Sequence, residues 1–181
     1  MMPDNTVKTT SKICLLGWPF VGKSAILGRY VYDAFEDRYM TTLGVNIVSN
    51  HSKMKHKERE YELTNILWDI SGSYLLHDIR SLLVNTYMEG SRGAMVVYDS
   101  TYDKTFYGMK KMVERFGKVN PERPVVFVAN KVDAAANQEL IERLLSNVAS
   151  EHDAPYYFTS AKTGKNIGEA FDTLNKAMIE S

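Results

Sequence analysis

The segment at residues 17–24 constrains the fold most strongly, because it reads G-W-P-F-V-G-K-S and matches the phosphate-loop pattern G-x-x-x-x-G-K-[ST]. A loop of this kind joins a strand to a helix. Here the apolar run at residues 13–16 precedes it, and Lys23–Tyr32 continues as a helical segment. The backbone N–H groups of the loop and the positive end of the helix dipole face the same anion. The pattern therefore predicts a phosphate site at the end of a short first strand.

The spacing of the loop assigns a role to its polar side chains. Lys23 reaches toward the β- and γ-phosphates, and Ser24 offers its hydroxyl to Mg²⁺. The residues expected to surround the phosphates are Phe20, Val21, Gly22, Lys23, Ser24 and Ala25. A phosphate loop alone fits an ATPase, a kinase or a GTPase, so the downstream segments must decide among them.

Apolar runs alternate with helix-period segments along the whole chain. The predicted strands are residues 13–16, 45–49, 62–68, 94–98, 125–129 and 156–158. The predicted helices are Lys23–Tyr32, residues 75–88, Lys104–Val119, and residues 137–150 and 168–179. The polar, basic stretch 50–60 is expected to be a solvated connection between the second and third strands. This rhythm predicts an α/β fold: a mostly parallel six-stranded sheet with one antiparallel hairpin and helices on both faces.

The composition favours a single globular domain. The 181 residues are 44% hydrophobic and 24% charged, which suffices for one core. Basic and acidic residues number 22 each, so no nucleic-acid partner is expected. The single cysteine, Cys14, lies in an apolar run and is expected to be a buried, reduced thiol. We expect residues 1–11 to be a flexible extension and residues 12–181 to form the domain.

The sequence shows no targeting or membrane-spanning segment. Its first residues contain no apolar stretch, and no apolar run approaches the ~20 residues that cross a bilayer. The last residues contain no cysteine for a prenyl group, so no direct lipid anchor is visible. We expect a cytoplasmic protein that is peripheral to a membrane, at most, through a partner.

Residues 130–133 read N-K-V-D and follow an apolar strand, which puts them at the carboxyl edge of the sheet, where α/β folds bind ligands. The carboxylate of Asp133 can accept from N1–H and N2–H₂ of guanine, a pair of donors that adenine lacks. Asn130 can hold the loop, and the stem of Lys131 can lie along the base. The segment therefore favours a guanine nucleotide and disfavours a small-molecule kinase that uses ATP.

A second base contact is expected from the S-A-K segment that follows the last predicted strand. The backbone N–H of Ala161 can donate to guanine O6, where adenine carries an amino group instead. Ser160 and Lys162 flank this N–H. The tripeptide carries little weight alone, but its place after N-K-V-D in the chain supports the same base.

Three further residues are expected near the metal and the third phosphate. Asp69 follows the third predicted strand, where an acidic residue can hold the Mg²⁺ shell through water. Thr42 can offer its hydroxyl to Mg²⁺ and its N–H to the γ-phosphate, although a threonine that merely begins a strand would look the same. Gly72 lets the backbone approach that phosphate. The predicted metal set is Ser24, Thr42 and Asp69.

Five segments have now been identified: the phosphate loop, the segments with Thr42 and with Asp69 and Gly72, N-K-V-D and S-A-K. In this order they resemble the small GTPases of the Ras superfamily, and the Rab branch in particular. Residues 39–45 are similar to the Rab first switch, and residues 68–72 are similar to its W-D-T-A-G segment. The resemblance implies that Phe35 packs against the guanine and that Tyr39 covers the phosphates. It further implies a single P-loop G-domain that alternates between GTP and GDP with Mg²⁺ in trafficking or signalling. Effectors, an exchange factor and an activating protein would then bind its two switch regions.

The sequence departs from this family in two places, and both concern hydrolysis. Ser73 stands where the family carries a glutamine that orients the attacking water, and a serine is too short to reach the same place. Trp18, Pro19 and Phe20 fill a turn that is usually made of small residues. They can obstruct an arginine finger, cap the second switch or meet a partner.

These departures lead us to expect a weak intrinsic GTPase. The residues with expected catalytic roles are Lys23, Thr42, Gly72 and Ser73. The alternative is a nucleotide-bound scaffold with negligible turnover.

Overall fold

The computed structural model describes residues 6–36, 42–76 and 78–181. Strands and helices alternate along this part of the chain. The strands are β1 (Thr6–Leu16), β2 (Val45–His56), β3 (Arg59–Ile70), β4 (Gly93–Asp99), β5 (Val125–Asn130) and β6 (Tyr156–Phe158). The helices are α1 (Lys23–Tyr32), α2 (Asp78–Met88), α3 (Lys104–Val119), α4 (Gln138–Glu151) and α5 (Ile167–Glu180), with a 3₁₀ turn at Gly72–Leu76.

The six strands form one sheet in the order β2-β3-β1-β4-β5-β6. β2 and β3 are antiparallel, and the other neighbouring pairs of described strands are parallel. Every residue of β4 is buried, because helices cover the centre of the sheet on both faces. The predicted fold class is confirmed.

Two apolar cores lie on the two faces of the sheet. α1 and α5 cover one face with side chains such as Ile26 and Phe171. α2, α3 and α4 cover the other face with Val84, Phe116 and Leu145. All five side chains are at most 1% exposed. These cores hold the strands in place, and the loops at the carboxyl edge of the sheet are left to form a site.

β1 extends further toward the N-terminus than the sequence predicts. Residues 6–12 pair in parallel with residues 60–66 of β3, whereas we expected residues 1–11 to be flexible. Lys8 Nζ also lies 3.4 Å from Glu62 Oε2 on the neighbouring strand. Because this part of β1 is polar and largely exposed, no apolar run marks it as a strand.

β2 and β3 form a longer hairpin than predicted. The stretch 50–60 was expected to be a solvated connection, but both strands continue through it and only residues 57–58 form the turn. Side chains alternate across the ribbon, since Met54 is half-buried while Lys53 and Lys55 are exposed. This alternation, rather than an apolar run, identifies the segment as a strand.

The tip of this hairpin is attached to the end of α5. His56 Nε2 and Lys57 Nζ each lie 2.9 Å from Glu180 Oε1. Hydrogen bonds from Lys57 and His56 hold the pKa of the Glu180 carboxyl below its usual value. The far end of the sheet is thus linked to the C-terminal helix.

The helices agree closely with the sequence except near the second switch. The predicted helix at residues 75–88 is divided into the 3₁₀ turn and α2. α1 and α3 have the predicted bounds, and α4 and α5 differ from them by one residue at each end. Within the described ranges, no helix has both the length and the apolar character needed to span a bilayer.

Candidate nucleotide-binding site

A cavity of about 490 Å³ opens at the carboxyl edge of the sheet, where the loops after β1, β3, β5 and β6 meet. Its volume suits a small-molecule ligand of nucleotide size. The predicted site residues that line it are Phe20, Gly22, Lys23, Ser24, Ala25, Phe35, Thr42, Gly72, Ser73, Asn130, Lys131, Asp133, Ala161 and Lys162. Three others, Val21, Asp69 and Ser160, are fully buried behind the lining. The predicted Tyr39 lies outside the described residues.

Lys23 begins α1, and its ammonium group lies over the phosphate loop. Nζ donates to the carbonyl oxygens of Gly17 and Trp18, each at 3.0 Å. Burial lowers the pKa of Lys23 to about 8, and the nearby charge of Asp69 opposes this shift. A buried cation with two neutral carbonyl partners would be stabilised by an anion in the cavity.

Gly22 connects the phosphate loop to β5. Its φ is 97°, and a Cβ at this position would overlap Asn130 Nδ2. The same Nδ2 donates to the carbonyl oxygen of Val21 at 3.0 Å. Glycine is therefore required both by the backbone conformation and by the close approach of the amide.

Three oxygen-bearing side chains meet beside Lys23. Ser24 Oγ donates to Asp69 Oδ2 and lies 2.9 Å from Thr42 Oγ1, while Thr42 Oγ1 lies 3.5 Å from Asp69 Oδ2. Asp69 is fully buried, and its Oδ1 has no hydrogen-bond partner. Hard oxygen donors together with an unsatisfied carboxylate oxygen fit a Mg²⁺ ion. The structure thus brings together the three residues that the sequence predicts for a metal.

Asn130 joins the two loops that are expected to contact the base. Besides its bond to the phosphate loop, its Oδ1 accepts from Thr159 Oγ1 and from the backbone N–H of Ala161, both at 3.2 Å. A guanine O6 would therefore share the Ala161 N–H with Asn130. The side chain is 1% exposed, so it acts mainly by holding the loops together.

Asp133 is held by the S-A-K segment. Its Oδ1 accepts from Ser160 Oγ at 2.6 Å, and Ser160 Oγ in turn accepts from the Thr163 N–H at 3.1 Å. Asp133 is exposed at the lining of the cavity, whereas Ser160 is fully buried. A buried hydroxyl therefore fixes one carboxylate oxygen of a side chain that faces the ligand space.

Lys131 crosses from the base loop to the phosphate loop. Nζ donates to the Phe20 carbonyl oxygen at 2.7 Å and to Asp99 Oδ2 at 2.6 Å. These two bonds hold the aliphatic stem along the wall of the cavity. The stem can therefore pack against a planar base, as expected from the sequence.

Arg29 is a positioning residue that the sequence does not reveal. It projects from α1, and its Nε and Nη2 donate to the carbonyl oxygens of Ala161 and Lys162 at 3.0 and 2.9 Å. Its Nη1 also pairs with Asp33 at 2.9 Å. No local pattern marks Arg29, because the two carbonyl partners lie 132 and 133 residues away along the chain.

The second switch begins against the phosphate loop. A Cβ on Gly72 would overlap the backbone of Trp18 and Pro19. The neighbouring Ser73 Oγ lies 2.8 Å from Ser71 Oγ. Ser73 therefore lines the cavity with a short hydroxyl that already has an intramolecular partner.

The bulky residues of the loop have different surroundings. The Trp18 side chain packs on the core and lies against Gly108 of α3. Phe20 is 59% exposed, and Pro19 lines the cavity. The three roles that the sequence allows for these residues, which are to obstruct an arginine finger, to cap the second switch or to meet a partner, stay predictions.

The chain is similar to known proteins along most of its length. A sequence model described as the Ras family matches residues 12–180. The chain is 31% identical over 166 residues to the Ras-related protein Rab-22A of Homo sapiens. The aligned region covers 91% of this chain and 81% of that protein. The same identity and coverage hold for the Ras-related protein Rab-31 of Homo sapiens. The Ras-related protein Rab-21 of Bos taurus is 31% identical over 171 residues, covering 94% of this chain and 73% of that protein.

The match and the geometry agree with each other. The family model begins at Lys12, before the phosphate loop, and ends at Glu180, the last residue of α5. It thus spans every loop that lines the cavity. The chain therefore belongs to the Ras family, as a Rab-like small GTPase that acts as a GTP-dependent switch.

Proposed function

We propose that this protein binds GTP and GDP with Mg²⁺ in the cavity and hydrolyses GTP slowly. The observation that carries the proposal is the meeting of Ser24, Thr42 and Asp69 beside the buried ammonium group of Lys23. Oxygen ligands next to a cation provide places for a metal ion and for phosphate at the same time.

The phosphates are held by the loop and by Lys23 in this proposal. The backbone N–H groups of residues 20–25 and the N-terminus of α1 supply the cradle. Two carbonyl oxygens hold the Lys23 ammonium group over the loop, and its third N–H donates to the phosphate oxygens. Ser24, Thr42 and Asp69 hold Mg²⁺ directly or through water. When bound, the ion neutralises charge that develops on the phosphate oxygens.

The base is selected by the two loops that Asn130 joins. Asp133 accepts from N1–H and N2–H₂ of guanine, and the Ala161 N–H donates to O6. The stem of Lys131 and the ring of Phe35 pack against the base, since both residues line the cavity. Adenine would leave the Asp133 carboxylate without its donors, so ATP is a poor ligand.

Switching is carried by the segments that contain Thr42 and Gly72. The Ser71 N–H donates to the Gly44 carbonyl oxygen at 3.0 Å, which joins the two segments to each other. A γ-phosphate that orders one segment would therefore also affect the other. Effectors, an exchange factor and an activating protein bind these segments in the proposed cycle. The protein acts in trafficking or signalling.

Slow hydrolysis follows from Ser73. Its hydroxyl is short and is bonded to Ser71, so it does not orient a water as a glutamine amide would. Phosphoryl transfer depends almost entirely on positioning and charge, and the loss of one positioning group lowers the rate without abolishing it.

Binding is tested by calorimetry with GTP, GDP and ATP in the presence of Mg²⁺. We expect both guanine nucleotides to bind at least about 100-fold more tightly than ATP, because adenine lacks the N1–H and N2–H₂ donors for the Asp133 carboxylate. Equal affinity for ATP would contradict the proposed base selection.

Hydrolysis is tested by single-turnover measurements on Ser73→Gln and on Ser71→Ala, the matched control that removes the same hydrogen bond without adding an amide. We expect Ser73→Gln to hydrolyse GTP faster than the natural protein, and Ser71→Ala to remain slow. A natural protein that hydrolyses GTP at least as fast as Ser73→Gln would refute the role given to Ser73.

A further inference from the structure

Trp18 is the point at which three parts of the site meet. Its carbonyl oxygen accepts from Lys23 Nζ at 3.0 Å. Its carbonyl carbon lies so close to Gly72 that a Cβ on that glycine would overlap it. Its side chain leaves the loop and lies on α3. Trp18 therefore contacts Lys23 in the phosphate loop, Gly72 in the second switch and Gly108 in α3.

The contact with α3 depends on Gly108. This residue is buried, and a Cβ placed on it would overlap Cγ, Cδ1 and Nε1 of the Trp18 indole. Glycine is less favourable than alanine inside a helix, so its presence here needs a reason. The reason is steric: only a residue without a side chain lets the indole lie directly on the helix backbone.

Gly117, the other glycine of α3, has no such contact. A Cβ on Gly117 would have no atom within 4 Å. Both glycines belong to α3, so they share the same intrinsic penalty in a helix. They differ in that Gly108 alone of the two lies under the Trp18 indole.

We infer that Trp18 is a positioning residue whose indole, seated on Gly108, fixes the loop carbonyl that holds Lys23 and thereby sets the affinity for the β-phosphate. The inference rests on the proposed function, because it concerns the same nucleotide site. The indole is large and its backbone carbonyl is adjacent, so a shift of the ring moves the carbonyl with it. Phosphate affinity is therefore coupled to the position of α3.

The experiment compares Gly108→Ala, Trp18→Ala, the double variant and the matched control Gly117→Ala. The readouts are the affinities for GDP and for GMP, with folding checked by urea unfolding. GMP lacks the β-phosphate that Lys23 reaches, so it reports on the base and α-phosphate contacts alone. A merely structural defect would weaken both nucleotides together.

We expect Gly108→Ala to weaken GDP binding at least about tenfold and to change GMP binding less than about twofold, since a charged hydrogen bond is displaced. Trp18→Ala should show the same GDP-specific loss, and adding Gly108→Ala to it should have no further effect. Gly117→Ala should bind both nucleotides normally.

Unchanged GDP binding in Gly108→Ala, equal losses for GDP and GMP, or an effect of Gly108→Ala that persists without Trp18 would each overturn the inference. If Gly108→Ala does not fold, Trp18→Ala decides the matter by the same GDP-to-GMP comparison. Failure of the natural protein to bind GDP would instead refute the proposed function.

Discussion

Replacing Asn130 by alanine should separate the phosphate loop from the base loops. The side chain makes three hydrogen bonds: to the Val21 carbonyl oxygen, from Thr159 Oγ1 and from the Ala161 N–H. It is 1% exposed, so water cannot replace these bonds without a rearrangement. The substitution removes an amide and leaves its three partners buried and unsatisfied.

The expected magnitude follows from the number of lost bonds. Each costs about 1 kcal/mol of unfolding free energy, and more when the partner stays buried, so Asn130→Ala should lose about 3 kcal/mol or more. Asn120 provides a matched control, because it is 7% exposed and its Nδ2 makes one hydrogen bond, to the Met88 carbonyl oxygen at 2.8 Å. Asn120→Ala should lose about 1 kcal/mol.

Two measurements test this reasoning. Urea unfolding without nucleotide gives the change in unfolding free energy for each variant, and release of a fluorescent GDP gives the dissociation rate. We expect Asn130→Ala to release GDP at least about tenfold faster, because its loops are no longer joined, and Asn120→Ala to release it at the natural rate. Equal stability losses in the two variants, or an unchanged release rate in Asn130→Ala, would refute the assignment.

Three further predictions concern other parts of the molecule. Asp69→Asn removes a charge from the candidate Mg²⁺ set, so the acceleration of GDP release by EDTA should shrink at least about tenfold; undiminished acceleration would argue against this set. Arg29→Ala removes the hydrogen bonds to two carbonyl groups of the S-A-K segment, and calorimetry should show GDP binding weakened roughly tenfold. An unchanged affinity would show that Arg29 is not needed to position the segment. Burial raises the pKa of the Cys14 thiol to about 11, so the thiol stays protonated at pH 8 and a thiol reagent should label it only after unfolding; rapid labelling of the folded protein would contradict its placement in the core.

The centre of the fold could be predicted because its strands are continuous apolar runs. β4 and β5 are buried on both faces, and no other element fits such runs between helical segments. The ends of β1, β2 and β3 could not be found in the same way. Residues 6–12 and 50–60 are polar, and their pairing depends on partners elsewhere in the sheet.

The site shows the same division between local and distant signals. Lys23, Ser24 and Asn130 belong to short motifs with fixed spacing, so the sequence identifies them and the structure brings them to one cavity. Arg29 and Gly108 belong to no such motif. Their importance arises from contacts between elements that are far apart in the chain, and a single sequence does not record those contacts.

The link between the hairpin tip and α5 has a practical consequence for attaching the protein to a surface. α5 is antiparallel to the parallel strands, so its last residue, Glu180, lies with the hairpin tip at the amino edge of the sheet. The cavity opens at the opposite, carboxyl edge. The contact with His56 and the ion pair with Lys57 hold Glu180 at this end of the helix. A biotin or an affinity tag placed after Ser181 would therefore orient every immobilised molecule with its ligand entrance toward the flowing solution, which makes surface-based kinetic measurements feasible without a long spacer.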